Sequence, residues 1–319
     1  MENLISGIHH VTAIASDPQR NVDFYTQVLG LRLVKKTINF DAPGVYHFYF
    51  GTETGSPGTI LTFFPFKAAA RGRRGLGEMT YTSFSVPPGS LDYWKDRLSD
   101  LEITHSGILS RFGEELIRFT DQDGMGLELV AARDDNRKGW SGGSIPEPHA
   151  IKGFSGATLN LRDVQPTAAV LTEVLNYSLI EVLDGKRYRY GIAGNPAETI
   201  DLVMADPDSR SIQSAGSVHH LAFRTKDESQ QLSIQKKLQD FGLAVTEVKD
   251  RNYFKSIYFR EPGGVLFEVA TDEPGFLIDE SHETLGTELK LPDWAEPQRS
   301  QIEDQLEPIA VNYNIPWKK

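Results

Sequence analysis

The chain contains no cysteine among its 319 residues. This absence excludes disulfides, thiolate nucleophiles and zinc sites built on cysteine, so a bound metal must be held by imidazole and carboxylate groups. The chain also lacks an apolar run of about 18 residues, the length needed to span a bilayer. Its N-terminus, MENLISGIHH, lacks the basic region and apolar run of a signal peptide. We therefore expect a cytoplasmic protein.

Positive charge is also scarce, because 33 Lys and Arg residues face 44 Asp and Glu residues and the formal net charge is −11. An acidic surface repels phosphate backbones and anionic lipids, so we expect neither a nucleic acid nor a membrane as partner. The apolar content of 39 % is sufficient for folded cores. Together these features favour an enzyme that acts on a small molecule.

One pattern of secondary structure recurs four times along the chain. The first copy, residues 7–66, opens with the strand IHHVTAIA, continues with a helix that starts at Asp17-Pro18 and ends at Gly30, and closes with three strands. Further copies cover about 78–131, 152–204 and 217–270. The sequence therefore predicts an α+β fold of four βαβββ modules in two tandem halves, paired into curved mixed sheets with an open metal-binding cup.

The same pattern predicts the domain organisation. Residues 1–133 form a first domain of two modules, and residues 151–271 form a second. The segment between them, 134–150, is rich in Gly, Pro, Ser and charged residues, which is typical of a linker. Residues 272–319 form a C-terminal tail, with a helix expected near Arg299–Leu306.

Four of the eight histidines form two adjacent pairs, and both pairs lie on the first strand of a repeat. Side chains alternate across a strand, so only one histidine of each pair can face the cup. Apolar residues share the face of His9 and of His219, which a helix would cover. This parity predicts that His10 and His220 point into the cup, with Thr12 on the same face as His10.

A carboxylate completes this set. In the closing strand of the fourth repeat, VLFEVA, apolar residues alternate with Glu268, which would be costly in that position unless it bound a charge. The corresponding positions of the other repeats carry Thr62, Glu128 and Asp201. Two histidines and one carboxylate are the ligands of non-haem Fe(II) oxygenases, which leave positions open for substrate and O₂. Mn(II) suits the same ligands, and Zn(II) or Ni(II) does so less specifically.

The remaining polar residues leave alternatives open. Tyr258 either packs between strands or donates a hydrogen bond to bound oxygen or substrate. Arg251 either pairs with surface acids or steadies an anionic intermediate. Structural roles are expected for the other four histidines, His47, His105, His149 and His282.

The stretches HHVT, HHLAF and LFEVA carry a resemblance to a known family. The chain resembles the vicinal oxygen chelate superfamily, which contains glyoxalases, bleomycin-resistance proteins and extradiol dioxygenases. More narrowly it is similar to the hydroquinone-cleaving branch, through FYTQVLGLRLVKKTINFD in the first repeat and RNYFKSIYFREPGG in the fourth. The resemblance covers nearly the whole chain.

The resemblance implies an iron site and an activity. In that branch the second histidine of each pair and the late glutamate bind Fe(II), which agrees with the parity argument. The same matching implies contacts with substrate or ligands for a further set of residues, His9, Thr12, His219, Arg251 and Tyr258. It also implies O₂-dependent, extradiol-type cleavage of a hydroquinone-type aromatic, next to a metal-bound ring hydroxyl. One ligand comes from the first module, whereas ordinary catechol enzymes place all ligands in their second half.

Two other functions are considered. A metal-dependent glyoxalase or thiol transferase usually needs a second carboxylate ligand, and Thr62 stands at that position. A non-catalytic protein that sequesters a quinone or drug has no use for two histidines and a glutamate. The sequence leaves the oligomeric state open, with a homo-oligomer as one alternative.

Overall fold

A computed structural model describes residues 3–192, 195–314 and 317. The first module contains β1 (Ile8–Ala15), α1 (Pro18–Asp23), β2 (Arg32–Asn39), β3 (Ala42–Gly51) and β4 (Ile60–Pro65). The second contains β5 (Glu78–Val86), α2 (Leu91–Asp100), β6 (His105–Arg111), β7 (Glu114–Thr120) and β8 (Gly126–Ala131). The third contains β9 (Gly153–Leu161), α3 (Gln165–Ala169), β10 (Ser178–Leu183), β11 (Arg187–Ile192) and β12 (Asn195–Met204). The fourth contains β13 (Val218–Thr225), α4 (Glu228–Asp240), β14 (Lys249–Asp250), β15 (Phe254–Arg260) and β16 (Leu266–Pro274).

These elements confirm the four βαβββ modules. The first helix begins as predicted, because the Asp17 side chain accepts a hydrogen bond from the backbone N–H of Arg20 at 2.8 Å and proline occupies the first helical position. Its last turn, Phe24–Val28, is π-helical, and the chain leaves it through Gly30 at a φ of 66°. Glycine suits that position because a side chain would be strained there.

The modules combine into two eight-stranded mixed sheets. The order in the first sheet is β14-β15-β16-β13-β1-β4-β3-β2, so it joins the first and fourth modules. The order in the second sheet is β10-β11-β12-β9-β5-β8-β7-β6, so it joins the second and third modules. Each sheet therefore takes one module from either side of residues 134–150. At the centre of the first sheet, β1 and β13 are antiparallel neighbours, which brings the two histidine pairs side by side.

One face of the first sheet packs into the hydrophobic core. Val11 and Ala13 on β1 and Leu221 and Phe223 on β13 are fully buried there, as the alternation predicts. The opposite face curves around the cup. The sheet thus buries its apolar side chains on one side and presents polar and aromatic side chains on the other.

The segments outside the modules pack against them. In the segment 134–150, Arg137 donates hydrogen bonds to Asp135, to Glu198 and to the carbonyl of Gly58. The tail is held to the first module by Lys35, which is fully buried and pairs with Asp279 and Glu280.

The predicted helix of the tail, α5, covers Arg299–Glu303 and ends earlier than the sequence suggested. No helix in the described residues is long and apolar enough to cross a membrane.

Candidate metal centre

Three buried side chains converge at the floor of the cup. Nε2 of His10 lies 3.2 Å from Nε2 of His220, and Oε2 of Glu268 lies 3.4 Å from the first and 2.9 Å from the second. The Oε2 atom makes no hydrogen bond of good geometry to either ring. The three atoms therefore face a common point, as ligands of one metal ion would. Across the described residues, no other group of three or more histidine or carboxylate side chains converges in this way.

The donor set fits a divalent metal of the iron or manganese type. Two imidazoles and one carboxylate suit these ions and leave coordination positions open. Ser256 donates a hydrogen bond to Oε1 of Glu268 at 2.5 Å, which fixes the carboxylate and leaves Oε2 to the metal. Burial opposes ionisation of Glu268, but its attraction to His10 and His220 holds its pKa well below the usual value. Within the described residues its ion-pair partners are only these two histidines.

Bulges in the two central strands place the other histidine of each pair. The register of β1 against β13 shifts at His9 and again at His219, so each is an extra residue without a direct partner. A bulge re-aims side chains and interrupts strict alternation. The prediction that His219 faces the covered side is therefore wrong, because His219 lines the cup. His9 is buried behind His10, with its ring against Phe254.

Each bulge histidine, His9 or His219, contacts the ring of the histidine that follows it, His10 or His220. Nδ1 of His9 lies 2.9 Å from Nδ1 of His10, and Nδ1 of His219 lies 2.8 Å from Nδ1 of His220. A histidine that offers the Nε2 lone pair to a metal carries its proton on Nδ1 and donates it to an outer partner. His9 and His219 are such partners, and each must accept at Nδ1. Burial lowers the pKa of both, to about 4 for His219, so they are neutral.

The cup has a volume of about 300 Å³ and an aromatic lining. Its rings come from both modules of the first sheet and from the turn between β2 and β3. They are Phe40, Phe64, Phe66, Phe254, Tyr49 and Tyr258. Such a cavity is typical of a site for a small, largely apolar ligand that a few polar groups orient.

Arg251 and Tyr258 form a polar pair on the wall of the cup. Nε of Arg251 donates to the Tyr258 hydroxyl at 3.1 Å, and its guanidinium lies 5.3 Å from the centre of the tyrosine ring. Tyr258 is the strand partner of Glu268, and its ring lies 5.7 Å from that of His220. Burial and the charge of Glu268 raise the pKa of Tyr258, so its hydroxyl stays protonated. Asp41, largely exposed, approaches Arg251 at 3.6 Å.

Sequence reasoning missed His47, for which it predicted a structural role. His47 lines the cup, with its ring 4.4 Å from that of Phe64. The signal lies in the strand VYHFYF, where alternation puts His47 and Tyr49 on one face. Tyr49 is the strand partner of Thr62, as Tyr258 is of Glu268. A comparison of these two strands therefore places Tyr49 on the cup, and with it His47, which lies two residues earlier on the same face. Asn39 also lines the cup and carried no sequence signal.

The equivalent face of the second sheet is closed by ion pairs. Arg111 donates to both carboxylate oxygens of Glu128 at 2.7 Å, and Arg189 donates to both oxygens of Asp201 at 2.8 and 3.1 Å. These carboxylates occupy the positions that Glu268 occupies in its module. Guanidinium groups thus neutralise them, and the metal-type centre lies on the first sheet.

The paired βαβββ modules and the cup with two histidines and a glutamate are the features that indicate to which class this protein belongs. The family model described as the Glyoxalase/Bleomycin resistance protein/Dioxygenase superfamily matches residues 7–129 and 153–269. The chain therefore belongs to this superfamily, as its resemblance implied.

Relatives at high coverage carry names of ring-cleaving enzymes. The chain is 46 % identical over 305 residues to MhqO of Bacillus subtilis (strain 168), named as a ring-cleaving dioxygenase, covering 96 % of this chain and 97 % of that one. It is 36 % identical over 320 residues to the chlorohydroquinone/hydroquinone 1,2-dioxygenase of Sphingobium indicum, covering 96 % and 98 %.

A solved structure agrees with the fold. A crystal structure of a protein described as a dioxygenase from Bacillus subtilis superposes with a TM-score of 0.93 at 45 % identity, covering 98 % of this chain and 99 % of that one. Maize glyoxalase I, at 14 % identity and a TM-score of 0.62, covers 83 % of this chain and 92 % of its own, and shares the fold.

Proposed function

We propose that this protein is an Fe(II)-dependent, extradiol-type dioxygenase that cleaves the ring of a hydroquinone-type aromatic with O₂. The observation that carries the proposal is the convergence of His10, His220 and Glu268 at the floor of an aromatic cup. Two histidines and one carboxylate leave adjacent positions for substrate and O₂, and Mn(II) can serve the same site. The named relatives support a ring-cleaving reaction on hydroquinones.

The walls of the cup bind and orient the ring. Phe64 and Phe254 lie on opposite modules of the first sheet, and both line the cavity. Phe254 packs against His10 with ring centres 5.0 Å apart, so an aromatic substrate between these walls lies over the ligands. A bound metal supplies Lewis acidity, which lowers the pKa of a coordinated ring hydroxyl, and a binding position for O₂.

Polar groups of the cup hold and move protons around the substrate. Arg251 and Tyr258 present a cation and a neutral hydroxyl toward the cavity, which stabilise negative charge that develops on an oxygen there. His219 accepts at Nδ1, so its proton sits on Nε2 and is available for transfer. Thr12 contributes a hydroxyl beside His10. His9 has no surface on the cup and acts by orienting His10.

A glyoxalase-type reaction is the second candidate, and one observation weighs against it. The position equivalent to Glu268 in the first module is Thr62, and its hydroxyl is bonded to Thr12 and His47. The first module therefore offers one ligand, His10, and no carboxylate.

The test is oxygen uptake by protein reconstituted with Fe(II) without air, using hydroquinone, methylhydroquinone and catechol. We expect uptake and a ring-opened product with a hydroquinone, and little with catechol. His220→Ala should abolish uptake, whereas His105→Ala, a change on the edge of the second sheet, should leave it intact. Protein that binds the metal yet consumes no oxygen with any of these substrates would contradict the proposal and favour a glyoxalase-type or binding function.

A further inference from the structure

Four side chains of the first module form a continuous hydrogen-bonded chain. Oγ1 of Thr12 lies 2.8 Å from Oγ1 of Thr62, and the latter lies 2.9 Å from Nε2 of His47. Nδ1 of His47 lies 2.9 Å from the hydroxyl of Tyr49. Each of these groups can both donate and accept, so the chain has no break.

Both ends of this hydrogen-bonded series line the cup, whereas Thr62, one of its two middle members, does not. Thr12 and Tyr49 line the cavity, and so does the ring of His47, whose two nitrogens are both occupied. Thr62 is fully buried and is not part of the cavity wall. Neither Thr12 nor Tyr49 makes a second side-chain hydrogen bond among the described residues.

In this hydrogen-bonded series, Thr62 stands at the position where the fourth module has the carboxylate Glu268. Thr62 lies opposite Tyr49, as Glu268 lies opposite Tyr258 in the fourth module. In the fourth module Ser256 fixes the carboxylate, and in the first module His47, at the same distance along its strand, bonds the threonine. The first module thus uses the equivalent positions to connect two points of the cup instead of binding the ion.

Burial, followed by the charge of His10, lowers the pKa of His47 well below its usual value, so the ring carries a single proton. A neutral imidazole donates at one nitrogen and accepts at the other. Consequently all hydrogen bonds of the series run in the same direction. When Thr12 donates to Thr62, the hydroxyl of Tyr49 donates toward the cup. When Tyr49 donates to His47, the hydroxyl of Thr12 donates toward the cup.

We propose that Thr12, Thr62, His47 and Tyr49 form a proton relay that joins two points of the cup. The inference rests on the ring-cleaving function proposed above. A substrate hydroxyl beside Thr12 gives its proton to Thr12, whose own proton passes to Thr62. Thr62 passes its proton to Nε2 of His47, Nδ1 passes its proton to Tyr49, and Tyr49 releases its proton to an oxygen in the cup, of water or of the reacting molecule. Each residue keeps its number of protons, and the chain ends with its direction reversed.

The buried link tests the relay without altering the cavity wall. Thr62→Val keeps the shape and removes the hydroxyl, and Thr62→Ser keeps the hydroxyl. Interruption of the relay in Thr62→Val should lower kcat on the order of 100-fold, which is a usual contribution of proton transfer by a positioned group. The KM for the hydroquinone should change less than about threefold, and serine should restore most of kcat, because proton transfer and not binding is affected. Thr82→Val is the matched control, since Thr82 is equally buried and its hydroxyl has no hydrogen-bond partner among the residues that the structure describes.

A second pair of variants tests the far end. Tyr49→Phe should lower kcat in the same way, whereas Tyr46→Phe, on the same strand, removes a hydroxyl that bonds the carbonyl of Glu307 in the tail and should not. A readout without metal or turnover is the ¹⁵N spectrum of histidine-labelled protein. The two ring nitrogens of His47 should shift in Thr62→Val and stay constant in Thr82→Val.

Three results would overturn the relay. Thr62→Val with wild-type kcat would show that no proton passes through it, and equal losses in Thr62→Val and Thr62→Ser would show a packing effect. Unchanged nitrogen shifts of His47 in Thr62→Val would show that the chain is absent. Failure of the proposed function is a distinct result, because wild-type protein would then consume no oxygen, and the relay of that reaction would fall with it.

Discussion

Thr62 and Glu268 occupy equivalent positions in the two modules of the first sheet. Thr62 lies on β4 opposite Tyr49, and Glu268 lies on β16 opposite Tyr258. Two copies of one module thus differ at the position that carries the carboxylate. One copy supplies a carboxylate to the metal-type centre, and the other supplies a hydroxyl that is bonded away from it.

Thr62→Glu should convert the centre to two histidines and two carboxylates. A second carboxylate would occupy a position that substrate and O₂ otherwise use, so we expect oxygen uptake with hydroquinone to fall at least about tenfold. Metal content, measured by elemental analysis, should be equal to that of the wild type or higher. Loss of metal together with activity would show that the side chain cannot reach the centre.

Glu268→Gln should remove the metal while leaving the fold. The neutral amide is a weaker ligand than the carboxylate, and we expect metal affinity to fall by at least about 10- to 100-fold. In the wild type, Fe(II) at about 100 times its Kd should stabilise the folded state by about 2.7 kcal/mol and raise Tm accordingly. Glu268→Gln should lose about half of this increase or more, and Glu247→Gln, an exposed change on the same module, should keep it. An equal metal-dependent rise in Tm in both variants would contradict the assignment of Glu268.

Strand alternation was sufficient to predict the three side chains that converge at the floor of the cup. It placed His10, His220 and Glu268 on one face because large apolar side chains follow on the opposite face of each strand. It failed for His219, which lines the cup because it is the extra residue of a bulge. A bulge depends on pairing with a second strand, so the periodicity of one strand does not reveal it.

Which modules pair in one sheet depends on contacts between distant parts of the chain. Local patterns predicted four modules, but they do not state which modules share a sheet. The predicted ligand set carried that information, since His10 and His220 could meet at one ion only if the first and fourth modules are neighbours. His47 was missed because a lone histidine in a strand is usually structural, and its partners Thr62 and Tyr49 come together only in the folded sheet.

Glu128→Gln should destabilise the protein without affecting the metal. Glu128 is buried between Arg111 and Arg118. Burial alone would raise its pKa, but the hydrogen bonds and charges of the two arginines outweigh burial and lower the pKa to about 2. Loss of its charge leaves buried Arg111 with Asp201, at 3.5 Å, as its remaining ion-pair partner among the described residues, and Arg118 is partly exposed. We therefore expect a cost of up to about 3–5 kcal/mol. Urea unfolding measures this loss, and Glu115→Gln, on the exposed side of β7, is the control. A loss of metal from the remaining folded protein would contradict a purely structural role for this cluster.

Glu198 should contribute a decrease in the stability of the protein between about pH 4.5 and pH 7. Burial raises the pKa of Glu198 from 4.5 to about 7, although Arg137 and the N–H of Ile8 bond its carboxylate. In this range the folded state keeps a proton that the unfolded state has lost, so the free energy of unfolding falls as pH rises, and the fall is complete above pH 7. The full effect is about 3 kcal/mol, from 1.36 kcal/mol per unit of pKa.

Glu198→Gln removes the titrating group and should remove this contribution to the slope, which urea unfolding of the wild type and the variant at several values between pH 5 and pH 8 would measure. Glu247→Gln, an exposed change of the same charge, should keep the wild-type slope. Because Glu198 bonds the backbone of Ile8, directly before the first histidine pair, its charge state also bears on how β1 is held. An unchanged slope in Glu198→Gln would show that this carboxyl titrates normally, and that its ion pair with Arg137 outweighs burial.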